Sequence, residues 1–272
     1  MTNTHATLTY IGGPSILIEY GGLRFLVDPT FDPAATDYPT PIYTLHKLQA
    51  PALSAGDIGP IDAVLLSHDH HFDNLDNSGR EFLITAARIL TTKAGAERLG
   101  GLAEGFEAWE TMTVGESKDS LTITATPARH GPPEGDRGPV VGFVLEKAGL
   151  PTIYLSGDTV WYEGVAEVGQ RFHIDIAVLF LGAAVVAEVG PAHLTFTADE
   201  AVQAANVFPD AVIVPVHYEG WAHFSESRSE IERAFAKGGI TEHLRWLAPG
   251  SPTQIGITRL ALRPFAAQPG EA

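Results

Sequence analysis

Short apolar runs rich in β-branched residues open the chain: ATLTYI, SILIEY and LRFLVD predict three strands. The Gly21-Gly22 pair between the second and third supplies the residues of a tight turn and predicts a hairpin. The Pro-rich stretch that follows, DPTFDPAATDYPTPIY, reads as irregular surface loop. AVLLS at 63–67 is a continuous apolar run and predicts a strand buried on both faces. Residues 77–90 predict a helix running into a strand, and TTKAGAERLG a short helix stopped by glycine. TMTVG, SLTITATPA, VVGFVLEK and TIYLSG are strands again. A helix near 161–170, the strand IDIAVLFLG, a helix from about Thr197 to Val207, the strand AVIVPVH, a helix across 225–237 and HLRWL complete the pattern.

Two pairs of segments echo each other. SILIEYGGLRFLVDPT and GFVLEKAGLPTIYLSGDT both run strand, Glu, a turn with Gly-Leu, strand, Asp; AVLLSH and VIVPVH both end an apolar strand on histidine. No linker with a composition shift intervenes, so the pattern predicts one domain over 1–272 built of two similar halves. The architecture expected is a sandwich of two sheets with helices outside and one site between the halves.

Chemistry concentrates at strand ends. The stretch 67–76, SHDHHFDNLD, holds three histidines and three aspartates within ten residues. Elsewhere, Asp28, His68, His130, Asp158 and His217 each follow an apolar strand directly, and rigid strand ends hold coordination geometry well. A lone strand-end histidine is more often a hydrogen-bonded structural group than a ligand, but five such residues from distant segments imply a fold that converges them. Neutral imidazole and carboxylate suit Zn2+, Mn2+ or Fe2+, and two such ions can share a bridging carboxylate. Asp28, before Pro29 and Thr30, reads rather as a turn-capping carboxylate, and Asp73 could also serve as a helix cap.

Composition narrows the partners. The 272 residues carry 33 acidic and 17 basic side chains, a net charge of −16, which disfavours a nucleic-acid binder that must neutralise phosphates. With no cysteine, thiolate ligands and disulfides are excluded. Neither a charged-then-apolar signal segment nor a membrane-length apolar run is visible, so a cytoplasmic protein with no membrane partner is expected, and Ala, Gly and Pro usage suggests a bacterial source.

Taken in order, TYIGG, LIEYGGLRFLVDP, LLSHDHHFDNLD, TPARHG, YLSGDT and VPVH resemble the metallo-β-lactamase-fold hydrolases, closest to the branch with ascorbate-6-phosphate lactonase and N-acyl-phosphatidylethanolamine phospholipase D. The resemblance runs from about Leu8 to Leu247 and implies an α/β (α+β) four-layer αββα sandwich. The family's His-x-His-x-Asp-His motif is altered here. Read forward, His68 and His70 take the histidine places; read backward from DNLD, His71 and Asp73 keep theirs, and Asn74 replaces the last histidine. Related sequences with an SHDxHxDNLD signature favour His71 over His70, while Asn74 weakens the second site.

The resemblance further implies that His130 completes a three-nitrogen site, that Asp158 bridges with Gly157 giving close backbone approach, and that His217 serves a second site beside Asp73. One or two ions per chain would then supply a hydroxide nucleophile, oriented by Asp73, against a lactone, ester, amide or phosphodiester of a small molecule. The family's early Gly-His pair is Gly12-Gly13 here, and its His-x-x-Pro is LTFTADEAV, with His193 offset by two and given no role. In HYEGWAHF, His223 is a candidate substrate-contacting catalytic residue, and Tyr218, Trp221 and Phe224 either pack the core or line a pocket; Trp161 and Tyr162 read as packing. Competing classes are a flavodiiron-type oxidoreductase, for which the chain lacks a flavin domain, a metal-dependent nuclease, and a degenerate binding or regulatory protein of the same fold.

Overall fold

The computed structural model describes residues 4–115 and 120–256; the ends of the expected 1–272 domain and of its N-terminal segment lie outside the described residues. Two large sheets form. The first has the order β15-β1-β2-β3-β6-β7-β8, from β1 (His5–Gly12), β2 (Ser15–Tyr20), β3 (Leu23–Val27), β6 (Ala63–Leu65), β7 (Ile89–Thr92), β8 (Ala103–Phe106) and β15 (Thr253–Gly256). The second has the order β14-β13-β12-β11-β10-β9, from β9 (Thr111–Val114), β10 (Leu121–Pro127), β11 (Val141–Glu146), β12 (Ile153–Leu155), β13 (Ile176–Phe180) and β14 (Val212–Val216). Each sheet begins as an antiparallel meander and continues with parallel strands.

The pairing follows from what each strand buries. Ile16, Ile18, Phe25, Val27 and Leu65 of the first sheet meet Ile123, Phe143, Leu155, Val178 and Val214 of the second in the central core. In β13 the alternate residues Ala177 and Leu179 face the other way, against α4 (Glu163–Arg171), α5 (Ala198–Val207) and α6 (Arg228–Gly238). Burial on both faces explains why this strand reads as one unbroken apolar run. On the outer face of the first sheet, Leu17, Leu26 and Val64 pack against Ile58 of α1 (Ala55–Ile58) and Phe82 of α2 (Asn77–Phe82). The result is four layers, helices–sheet–sheet–helices, as the sequence pattern implied.

The first echo is structural. SILIEYGGLRFLVD forms the β2–β3 hairpin and GFVLEKAGLPTIYL the β11–β12 hairpin, each followed in its sheet by a parallel strand. Gly21 and Gly22 take φ of 63° and 92°, the turn that L side chains resist. The second echo is not positional: β6 lies next to β3, whereas β14 is separated from β12 by β13.

Several elements were not legible in the pattern. The Pro-rich stretch supplies the first strand and turn of a two-stranded hairpin, β4 (Thr36–Pro39) with β5 (Thr44–Lys47) just past it, pinned by buried Tyr38 and Leu45. The edge strands β8 and β15 lack the apolar alternation that would announce them. HLRWL, which the pattern leaves unassigned, meets β14 through a single bridge between Ile213 and Leu244.

Candidate metal centre

The segment after β6 leaves the sheet as a loop whose three aspartates have three different partners. Asp69 is held by Arg98, whose Nε donates to its Oδ2 at 2.9 Å. Asp76, fully buried, is the N-cap of α2: it accepts from Gly79 N (2.8 Å), Phe31 N (2.9 Å), Asp32 N (2.7 Å) and Lys47 Nζ (2.8 Å). Asp73 therefore does not cap the helix, contrary to one reading of the sequence. Its Oδ2 lies instead 2.9 Å from His223 Nε2 and 3.5 Å from His217 Nε2.

The histidines sort by tautomer. A carbonyl can only accept, so His130 Nδ1 donates to Leu194 O (2.8 Å) and its Nε2 carries a lone pair. Ser67 Oγ gives its hydrogen to Asp28 Oδ2 (2.6 Å) and so accepts from His68 Nδ1 (2.9 Å), which leaves His68 Nε2 a lone pair as well. Both Nε2 atoms face His71 Nδ1, each at 3.1 Å. One nitrogen can donate at most one hydrogen, so at least one of these contacts sets lone pair against lone pair. A cation between the three removes the conflict: zinc–imidazole bonds in a tetrahedral site put nitrogens about 3.3 Å apart. Burial, then the neighbouring imidazoles, holds His68 well below the usual histidine range; the same burial, with His130 next, depresses His71. Both are neutral at pH 7, the state a metal ligand needs.

His70 stands apart from this convergence. Its Nε2 donates to Arg137 O (2.9 Å), and its Nδ1 is buried without a hydrogen-bond partner. One of its nitrogens nevertheless falls within 4.8 Å of donors on His68 and His71.

Asp158, just past β12, lies between two donor groups. Its Oδ2 is 3.6 Å from His130 Nε2 and 3.9 Å from His68 Nε2, and its Oδ1 is 3.0 Å from His217 Nδ1. Among the described residues neither oxygen, both buried, has a hydrogen-bond partner, nor does either nitrogen of His217. Buried polar atoms without partners are costly and need an explanation. Two clusters, His68–His130–Asp158 and Asp73–Asp158–His217, each bring their donors within 4.8 Å and share Asp158, which fits a pair of divalent cations. Burial opposes a charge on His217, but Asp158 and Asp73 outweigh it and raise its pKa to about 10. Burial likewise opposes a charge on Asp73, yet the adjacent imidazoles of His217 and His223 hold it well below the carboxylate range. His217 takes φ of 55°, a strained value for a non-glycine residue, and its N–H is anchored on Gly13 O at 2.7 Å.

The supporting residues were less legible. Asp28 is not a cap of its own turn: Thr30 N is taken by Ser15 Oγ (2.9 Å), while Asp28 accepts from Ser67 N (2.6 Å), Ser67 Oγ and Asn74 Nδ2 (3.0 Å). Asn74 thus braces the loop. Sequence reasoning overlooked Ser67 and the Leu194 carbonyl; the signal for Ser67 was a hydroxyl placed between an apolar strand and a histidine. A Cβ at Gly157 would meet Val141 O at 2.9 Å and Ser67 Cβ at 3.0 Å, so the close approach glycine allows is to these two strand ends. Tyr218 and Trp221 are buried packing residues, Trp161 and Tyr162 pack on the α4–α5 side, and His193 pairs with Glu200 at 3.1 Å. His68, Asp73, His130, Asp158 and His217 are buried, whereas His71, Phe72, Val186, His223 and Phe224 are partly exposed and mark the opening.

Two mixed sheets with outer helices and a His/Asp donor set at their strand ends define the metallo-β-lactamase class of hydrolases. The chain belongs to the beta-lactamase superfamily, whose domain model matches residues 23–218. It is 27% identical over 232 residues to a metal-dependent hydrolase of Pyrococcus abyssi (strain GE5 / Orsay), covering 82% of this chain and 89% of that one. Among solved structures it is similar to the isothiocyanate hydrolase from Delia radicum gut bacteria, with a TM-score of 0.78, 25% identity and coverage of 92% of this chain and 99% of that one. A possible metal-dependent hydrolase from Veillonella parvula DSM 2008 shares the fold, with a TM-score of 0.79 at 22% identity over 92% of this chain and 99% of that one. Among the described residues, no helix is long and apolar enough to cross a membrane.

Proposed function

We propose that the protein is a hydrolase of a small carbonyl-type or phosphoryl electrophile, in which His68, His71 and His130 would hold one cation and Asp73 and His217 a second, with Asp158 available to both sets. The observation that carries the reading is the approach of His68 Nε2 and His130 Nε2 to His71 Nδ1, each at 3.1 Å, beside a buried carboxylate with no hydrogen bond among the described residues. Divalent ions at such donors would lower the pKa of bound water towards neutrality and would polarise the substrate oxygen. The chain's own residues handle the protons. Asp73, held anionic, accepts from His223 Nε2 and so fixes the tautomer that leaves His223 Nδ1 free, buried and without a partner. His223 Nδ1, at the opening, takes the proton released as the nucleophile adds and returns it to the leaving group, while Asp73 positions the ring through Nε2–H. Zinc is the preferred ion, with Mn2+ or Fe2+ able to use the same donors; a small soluble substrate and a cytoplasmic location complete the reading.

Elemental analysis of purified protein should find one or two divalent ions per chain. His71→Ala should lower metal affinity by more than tenfold and His70→Ala by less than threefold. Metal absent from the intact protein would hand the reading to a degenerate binding protein, and the reverse order of the two variants would move the ligand to His70.

A further inference from the structure

A cavity of about 230 Å3 is walled by Pro132, Val186, Val189, Pro191, Ala192 and Leu194. Glu134 is the one charged residue among those that line it. Two features tie the cavity to the donor residues. Leu194 lines it and also fixes His130, whose Nδ1 donates to its carbonyl at 2.8 Å. Val186 lines it and also packs against the Tyr38–Leu45–Trp221 cluster, as do Phe72 and Phe224, the sequence neighbours of Asp73 and His223. The loop carrying both is also tied to His223, through Val185 N to His223 O at 2.8 Å.

From this arrangement we infer that the cavity is the subsite for an uncharged aliphatic or aryl group of the substrate, attached to the electrophilic centre that the His/Asp cluster addresses. The inference rests on the hydrolase reading and narrows it. An anionic substituent would meet Glu134 and no facing cation among the lining residues, so phosphate monoesters and dicarboxylates are disfavoured. At interior packing density the volume holds a group of about ten heavy atoms. Apolar lining with few polar groups is the usual composition of a site that selects by shape and desolvation.

The test uses the full chain loaded with Co2+ and a series of straight-chain alkyl hydroxamates, from acetohydroxamate to octanohydroxamate, read by the change in the cobalt absorption spectrum. Affinity should rise roughly two- to fourfold per methylene until the cavity is filled. Chains ending in a carboxylate should bind at least tenfold more weakly than methyl-ended chains of equal length. Val189→Trp or Ala192→Phe should flatten the dependence on length; two positions are used so that a fault in one variant leaves the other. A slope unchanged in both folded variants, or carboxylate-ended chains binding as tightly, overturns the subsite. Failure to take up cobalt at all would instead remove the hydrolase reading, so the two failures are distinct.

Discussion

Asp28 and Asp158 occupy matching places, each just past the second strand of a hairpin, β3 in the first sheet and β12 in the second. Both are essentially inaccessible to solvent. Their surroundings differ completely. Asp28 accepts from Ser67 N, Ser67 Oγ and Asn74 Nδ2, so its carboxylate is consumed in holding the loop that carries His68 and Asp73. Asp158 accepts no hydrogen bond and lies between histidines of two clusters. One fold position thus gives a brace in one half and a free pair of lone-pair donors in the other. The difference teaches that burial and strand-end location identify candidates, while the count of donors around a carboxylate decides between strut and ligand.

The largest effect should come from Asp158. Asp158→Ala removes the carboxylate shared by both clusters, so metal content should fall below half and hydrolysis by at least a thousandfold, while circular dichroism stays native. Retention of two ions per chain would break the contrast at its strong end. Asp28→Asn should act at second hand. Its amide cannot satisfy Ser67 N–H and Oγ–H together, which costs about 1–3 kcal/mol of stability. His68 loses its fixed tautomer, so affinity for the first ion should drop about 10- to 100-fold. Titration with a chromophoric chelator measures this, and an affinity equal to wild type would make Asp28 a mere core residue.

How much of this contrast was visible in the sequence depends on where the information sits. The strands of both hairpins were legible because each buries β-branched residues, and the Gly21-Gly22 turn because few other pairs adopt its backbone. The donors Asp158, His130 and His217 were legible as polar residues ending apolar strands. The role of Asp28 was not, because its partners Ser67 and Asn74 are 39 and 46 positions away. The three aspartates of SHDHHFDNLD all suit a helix N-terminus, so only packing shows that Asp76, held by Lys47 and two backbone amides of the Pro-rich stretch, is the cap. The β4–β5 hairpin escaped notice for a related reason: prolines dominate its pattern, while its anchors, Tyr38 and Trp221, are brought together from far apart with ring centroids 5.5 Å from each other.

The smallest effect, and the finest test of the contrast, is the pH dependence of stability in chelator-treated protein. Burial, eased by the hydrogen bonds from Ser67 and Asn74, raises Asp28 to about 7, above the roughly 3.9 of an unfolded aspartate. The folded state then binds the extra proton, so this contribution is complete below about pH 4 and is lost as pH rises through about 7. His217 is also raised, to about 10 against roughly 6.5 unfolded, so its contribution is complete below about 6.5 and disappears as pH climbs through about 10. The signs agree, but the windows barely overlap. In urea unfolding, the difference between wild type and Asp28→Asn should therefore change between pH 4 and 7, and that between wild type and His217→Gln between pH 6.5 and 10. Metal should abolish only the upper window, since a cation beside Asp158 and Asp73 replaces the proton on His217. If Asp28→Asn altered the upper window instead, the two carboxylates would be titrating as one system, and the division between brace and ligand would be wrong.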